Sequence, residues 1–308
     1  MINTVYHHVG PYQEWVEPNV APFDELILSW NADRPTDAQY QFYVSLYTDV
    51  WSIWLPYASW GCQGQSSFQM TDPNRPVEVY QDTVNVLNHE KATGFRIKID
   101  STDHLPPARI DNLHVFINNH TPLDSPSMYD AISLPLEGLS QTTLQHPRCM
   151  DLCSPTSTTA VIRYLQDNPS IDPIQFAQDA WDREFDIFGN WVLNIAAAST
   201  ILGPTWQCWV ERLSGFDAIY QHLKQGIPVI VSVRGPLPGS ALPYSCGHLI
   251  AITGYDPEQN KVLCIDPAFP SAEQTHSKYD LNDFIHAWNR RGRIAYIFQK
   301  TSLSCPNF

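Results

Sequence analysis

Positive charge is scarce in this chain. Its 18 Lys and Arg stand against 32 Asp and Glu, a formal net charge of −14. The deficit is deepest early: residues 1–135 carry 6 basic against 16 acidic side chains, and residues 136–308 carry 12 against 16. Such a surface repels phosphate backbones and anionic lipid, which disfavours nucleic acid and membrane as partners. Long apolar runs are missing too. A membrane helix needs roughly 18 consecutive apolar residues, and the best stretches, "WVLNIAAASTIL" and "IPVIVSV", are interrupted or too short. The start, "MINTVYHHVGPYQEW", lacks a basic segment followed by an apolar one, so a Sec-type signal peptide is not expected. That favours a cytoplasmic location, with signal-less export left open. Cysteine occurs in odd number, seven, which favours free thiols over a disulfide framework.

What the chain does have is material for cores. At 308 residues, 43% of them hydrophobic, it exceeds the usual size of one domain, and two are expected. Residues 1–135 read as strands. "GFRIKID" alternates Phe95, Ile97 and Ile99 with Arg96, Lys98 and Asp100, and "ELILSW", "QFYVSLY", "VEVYQDTVNVL" and "NLHVFINN" follow between turn-rich pieces. Short strands at this spacing suggest an antiparallel sandwich. The segment 118–138, rich in Pro, Ser, Asp and Asn, is the best linker. Residues 136–308 change pattern. "SPTSTTAVIRYLQDN", "DPIQFAQDAWDREF", "NWVLNIAAAST" and "GFDAIYQHLKQG" read as helices, and "IPVIVSV", "GHLIAITGYD", "KVLCIDP" and "RIAYIFQ" as strands. Helices followed by an antiparallel sheet is an α+β arrangement.

The chemistry gathers around "QHPRCMDLCSPTSTTAVIRYL" (145–165). Ser154 and Pro155 suit the cap and first position of a helix, which puts Cys153 directly before it. There the open N–H groups and the helix dipole favour the thiolate, the reactive form. Cys149, a turn earlier, lacks that advantage. A thiolate nucleophile also needs a base and a group that orients it. The runs "GHLIAITGYD" and "KVLCIDP" flank a turn at "DPEQN" and should pair as an antiparallel hairpin. His248 and Asp266 then fall nearly opposite each other at its open end. Gln145, eight positions before Cys153, carries an amide that can donate to an oxyanion together with the Cys153 backbone N–H.

The order of these motifs resembles the papain-fold cysteine peptidases. Within them it is most similar to the bacteriocin-leader-processing peptidases, family thirty-nine, and their stand-alone bacterial relatives. "GNWVLNIAAAS", "GIPVIVSV", "GHLIAITGYD", "IDPAF" and "YDLNDFIHAW" extend the likeness over about residues 140–300, and "SWNAD" and "WSIW" resemble a β-rich extension on some relatives. The resemblance implies Cys153 as nucleophile, His248 as general base and acid, Asp266 as orienter and Gln145 in the oxyanion hole. It implies a peptide or protein substrate and no cofactor. Where many relatives have Gly after the cysteine, this chain has Ser154. The expected architecture is a papain-like domain (136–308) preceded by an all-β sandwich-like domain (1–135).

Two other readings fit the same residues. The papain-like part can be a non-catalytic binding or scaffold domain. Alternatively Cys149, Cys153, Cys246 and His248 form a C-x3-C plus C-x-H set that can hold tetrahedral zinc, although this spacing is not a tight knuckle and zinc would consume the nucleophile. In "WSIWLPYASWG", Trp51, Trp54, Tyr57 and Trp60 suit either a sugar platform or sandwich core. His7, His8, His104, His114 and His120 lack ligand spacing and read as surface or core.

Overall fold

The computed structural model describes residues 5–10, 14–103, 110–119 and 129–301. His104, His120, Cys305 and the middle of the expected linker lie outside them. The first part is all strand: β1 (Val5–Val9), β2 (Glu14–Glu17), β3 (Glu25–Ala32), β4 (Gln39–Tyr47), β5 (Leu55–Gly61), β6 (Gly64–Ser67), β7 (Gln69–Thr71), β8 (Val77–Tyr80), β9 (Thr83–Val86), β10 (Gly94–Ser101) and β11 (Ile110–Ile117). They pair into two sheets, β1-β11-β3-β9-β8-β7 and β2-β10-β4-β5-β6. The alternation read in β10 is real: Phe95, Ile97 and Ile99 are buried, while Arg96 and Lys98 are half-buried. "VEVYQDTVNVL" is not one strand. It breaks into the β8–β9 hairpin at Gln81, which turns the chain with φ +52°.

The second part runs β12 (Ile132–Ser133), α1 (Cys153–Gln166), α2 (Pro173–Ala180), α3 (Trp191–Leu202), β13 (Trp206–Arg212), α4 (Phe216–Lys224), β14 (Val229–Val233), β15 (His248–Asp256), β16 (Lys261–Ile265), β17 (His276–Asp280), α5 (Leu281–Asn289) and β18 (Ile294–Lys300). Its sheet has the order β13-β18-β14-β15-β16-β17, with β12 added on β15. The chain is thus mixed α and antiparallel β, as expected. The expected linker contributes a short strand to this sheet: Ile132 and Ser133 pair with Tyr255 and Gly254, and Leu134 N–H donates to Thr253 O at 2.8 Å. No helix among the described residues is long and apolar enough to cross a membrane.

Two further departures share a cause, the docking of one part on the other. β3 is buried on both faces from Leu26 to Ala32 because α3 and β13 cover the side opposite the sandwich. Its polar residues face β13: Val210 N–H donates to Ser29 Oγ (3.0 Å), Asn31 Nδ2 donates to Cys208 O (2.6 Å), and Cys208 N–H donates to Asn31 Oδ1 (2.8 Å). Likewise α2 ends at Ala180, short of the helix expected through "WDREF". Asp182 is drawn out of the helix and fully buried. It accepts from Ser67 N–H and Ser67 Oγ of the sandwich and from Asn190 Nδ2.

Arg212 adds a two-pronged pair with Glu25, Nε to Oε1 at 2.6 Å and Nη2 to Oε2 at 2.7 Å. Apolar side chains of both parts join one continuous cluster, running from Trp30 and Phe42 through Val161 and Ala197 to Phe298. A second cluster, including Val231, Ile250, Phe284 and Trp288, belongs to the later part.

Candidate active site

The nucleophile candidate stands where a helix opens. Helix α1 begins at Cys153 itself, two residues earlier than the Ser154–Pro155 pattern suggests. Pro155 still falls within the first turn, where its missing N–H costs nothing. The capping position is Leu152, which offers no side-chain acceptor; Thr156 N–H donates to Leu152 O at 2.9 Å, and the Cys153 N–H lies ahead of that bond. Ser154 does not cap because its hydroxyl is used elsewhere, meeting the Tyr296 hydroxyl at 2.9 Å in the core. The Ser154 side chain is therefore directed into the core.

Helix and sheet are locked together at this end. Ser157 Oγ, one turn along α1, donates to Leu249 O of β15 at 2.9 Å. That bond fixes Cys153 against the strand whose first residue is His248. The β15–β16 hairpin pairs Asp256 with Lys261 and, after an irregularity between Ile252 and Gly254, Ala251 with Ile265. Continuing that register sets Asp266 opposite Ile250, two residues from His248 and on the same face. The contact closes: His248 Nε2 lies 2.8 Å from Asp266 Oδ1. The Cys153 thiol interacts with this imidazole and with the backbone N–H groups of Leu249 and Ser154.

Burial and charge compete at each member. Burial alone would raise the Cys153 thiol, but the hydrogen bond and charge of His248, with the two backbone donors, bring it below its ordinary value. Burial would lower His248; Asp266 and the Cys153 thiolate overcome it and raise the imidazole to about 10. Asp266 is fully buried, which opposes ionisation, yet His248 and its hydrogen-bond donors hold it below the usual carboxylate range. Those donors fill both oxygens: Ala268 N–H reaches Oδ1 at 3.1 Å, and the hydroxyls of Tyr244 and Tyr279 reach Oδ2 at 2.7 and 2.6 Å. Tyr244 also stacks on His248, ring centres 4.0 Å apart, from a backbone with φ +50°. Burial and the Asp266 charge raise both phenols, which therefore stay neutral donors.

A cavity of about 520 Å³ opens over Cys153. One wall is Tyr80–Thr83, the turn of the β8–β9 hairpin, so the first part of the chain borders the cleft. Asp82 in that turn accepts from Trp191 and Val192 N–H at 2.6 and 3.2 Å, capping α3. Phe188, Trp191 and Arg291 line the cleft as well.

No hydrogen bond among the described residues joins Gln145 to this group. Gln145 is exposed on the loop before Cys149. The buried glutamine of the segment is Gln141, only 1% exposed. Its N–H donates to Pro267 O beside Asp266, and its Nε2 donates to Met150 O at 2.8 Å, while its Oε1 is buried without a partner. Gln141 thus ties the Asp266 loop to the turn that leads into Cys153. No local pattern marks it. Tyr244 and Tyr279 were missed for different reasons. Tyr279 alternates with Ser277 on the inner face of β17, a period-two signal, whereas Tyr244 sits in an irregular loop without one.

Among the described residues no group of three or more His, Cys, Asp or Glu is arranged to hold a metal, so the set of Cys149, Cys153, Cys246 and His248 is not gathered. The six described cysteines are free, with Cys208 and Cys264 packed as small apolar residues. Tyr57 and Trp60 are core, and Trp51 and Trp54 stack on Arg96 at 4.8 and 4.3 Å. His114 is buried, contacting His7 and Asn112 and stacking on Trp209.

No curated protein matches the chain. Among solved structures, a Bacillus anthracis protein described as a C39-like peptidase is similar over 56% of this chain and 100% of its own, at 17% identity and a TM-score of 0.43. Residues 134–296, more than half of the chain, match the Peptidase C39-like family. On that match, the chain belongs to the Peptidase C39-like family.

Proposed function

We propose that this chain is a cysteine peptidase or closely related amide hydrolase. The carrying observation is the 2.8 Å contact between His248 Nε2 and Asp266 Oδ1 behind an imidazole that also meets the Cys153 thiol. In this reading the first part (1–135) is a β-sandwich-like extension and 136–308 a papain-like domain, its helix presenting the thiol and its sheet the base.

The Cys153 thiolate attacks the substrate carbonyl carbon, forming a C–S bond and moving the π electrons onto oxygen. The Cys153 backbone N–H, at the α1 start, donates to that oxyanion. The second donor is the amide of Gln141, whose Nε2 has a hydrogen to spare beyond the bond to Met150 O. Gln141 replaces Gln145 in that role. The His248 imidazolium then protonates the leaving amine as the C–N bond breaks, giving a thioester. Neutral His248 next takes a proton from water, which attacks the thioester and releases the acid and the thiolate. Asp266 holds the ring orientation and stabilises the imidazolium throughout. The steps draw on these residues alone.

A thiol-directed peptidyl probe tests the reading. Labelling should fall on Cys153 and be lost in His248→Ala. If Cys153 reacts no faster than free cysteine, the enzyme reading fails and the non-catalytic one stands.

A further inference from the structure

Among the described residues, one arginine without a salt bridge lines the cleft, with two more on neighbouring residues of the fold. Arg291 lines both the cavity over Cys153 and a neighbouring one of about 660 Å³, and so does Trp191, over whose ring the Arg291 guanidinium lies at 5.3 Å. The Arg291 Nε donates to Ser232 Oγ at 3.2 Å, and among the described residues its two Nη atoms meet no acceptor. Arg290 Nη1 donates to the carbonyls of Arg234 and Pro236, each at 3.1 Å, and Arg234 Nε donates to Ser245 O at 2.8 Å. These three guanidiniums are held by carbonyls and a hydroxyl. Arg148 and Arg212, by contrast, pair with Asp186 and Glu25. In a chain with 32 acidic side chains, none of these three arginines is hydrogen-bonded to a carboxylate among the described residues, and Asp82, whose charge acts on Arg291, is not in contact with its guanidinium.

The surroundings keep Arg291 available. Burial lowers its pKa, Asp82 pulls it back, and Arg212 and Arg234 lower it again. Asp82 Oδ1 is already committed to the two N–H groups of α3. Gly247, the residue before His248, has φ +107°, and a Cβ there would come within 3.4 Å of Arg291 Nε. The guanidinium thus packs alongside the loop that carries the base, and the positive φ is what calls for glycine there.

We infer that Arg291, flanked by Arg290 and Arg234, is a carboxylate-binding subsite of the cleft, and that the substrate is a peptide with an acidic side chain or a free C-terminal carboxylate near the scissile bond. A planar guanidinium with open Nη atoms matches a carboxylate in two-pronged geometry. This inference rests on the peptidase reading of the same cleft, and its test is kept separate from catalysis.

The full chain carrying Cys153→Ser is titrated with four rhodamine-labelled hexapeptides, read by fluorescence anisotropy. Three have amidated C-termini and carry Glu, Gln or Lys; the fourth carries Gln with a free C-terminus. The Glu amide, the Gln acid or both should bind about 10-fold or more tightly than the Gln amide, the effect of one charge-assisted hydrogen bond. Which of the two wins identifies the source of the carboxylate. The advantage should shrink as salt rises, vanish in Arg291→Gln and return in part in Arg291→Lys. Equal binding of all four peptides, or no binding up to millimolar concentration, overturns the inference. So does a preference that survives Arg291→Gln combined with Arg290→Gln. None of these outcomes depends on turnover, which the probe labelling of Cys153 decides independently.

Discussion

At His248 burial and pairing pull in opposite directions, and pairing wins. The imidazole is raised to about 10 while the Cys153 thiol is lowered, so both shifts favour the thiolate–imidazolium pair over the neutral one. Labelling of Cys153 should therefore gain its acid limb below the ordinary thiol range and fall only as pH passes about 10. A profile that simply climbs through the ordinary thiol range would show that the pair is not formed. The same shift has a sign for stability. A histidine whose folded pKa lies above its ordinary 6.5 contributes stability that is complete below about 6.5 and lost as pH rises through about 10. Urea unfolding of wild type and His248→Gln should accordingly differ most at pH 6 and converge beyond pH 10. For the oxyanion, acylation by a peptidyl p-nitrophenyl ester should slow by about 10²-fold in Gln141→Ala. In Gln145→Ala it should hardly change; the reverse result would return the role to Gln145.

Between elements, one hydroxyl matters most. Ser157 Oγ on Leu249 O ties the thiol's helix to the imidazole's strand. Ser157→Ala should cost about 1–2 kcal/mol in urea unfolding. It should also slow acylation, because the thiol is no longer held at its distance from the base. This bond marks where sequence reading stops. Cys153 at a helix start, and the His248–Asp266 hairpin contact, follow from local rules: a change of periodicity, a turn and the near-constant register of paired strands. The α1 boundary slipped because Ser154 looked like a cap, and only the fold reveals that Tyr296 claims its hydroxyl. Asp182 ends α2 early for the same kind of reason, since its partners Ser67 and Asn190 come from elsewhere. β13 went unread as a strand because its polar partners, Ser29 and Asn31, are far away in sequence. Local pattern reports the face a residue belongs to; it does not report which distant group will meet it there.

For the molecule as a whole, the two parts share a core rather than touching at a hinge. Residues 129–308 expressed alone would expose the apolar side of α3 and the unpaired hydrogen-bonding groups of β13 toward the missing β3. That fragment should bind a hydrophobic dye and fail to melt cooperatively; a sharp transition near that of the full chain would show that the first part is dispensable. A finer measure is the Glu25–Arg212 pair, half-buried at the junction. A double-mutant cycle there should return a coupling of about 1–3 kcal/mol, above the ~0.2–1 kcal/mol of exposed pairs.

The arrangement of the site along the chain also governs when the thiol becomes dangerous. Cys153 leaves the ribosome well before His248, Asp266 and Tyr279. Until those strands close against α1, it has the reactivity of any cysteine in an unfolded chain. Latency during synthesis is therefore a matter of timing: on the proposed reading the nucleophile is made first and armed later, by strands about a hundred residues downstream.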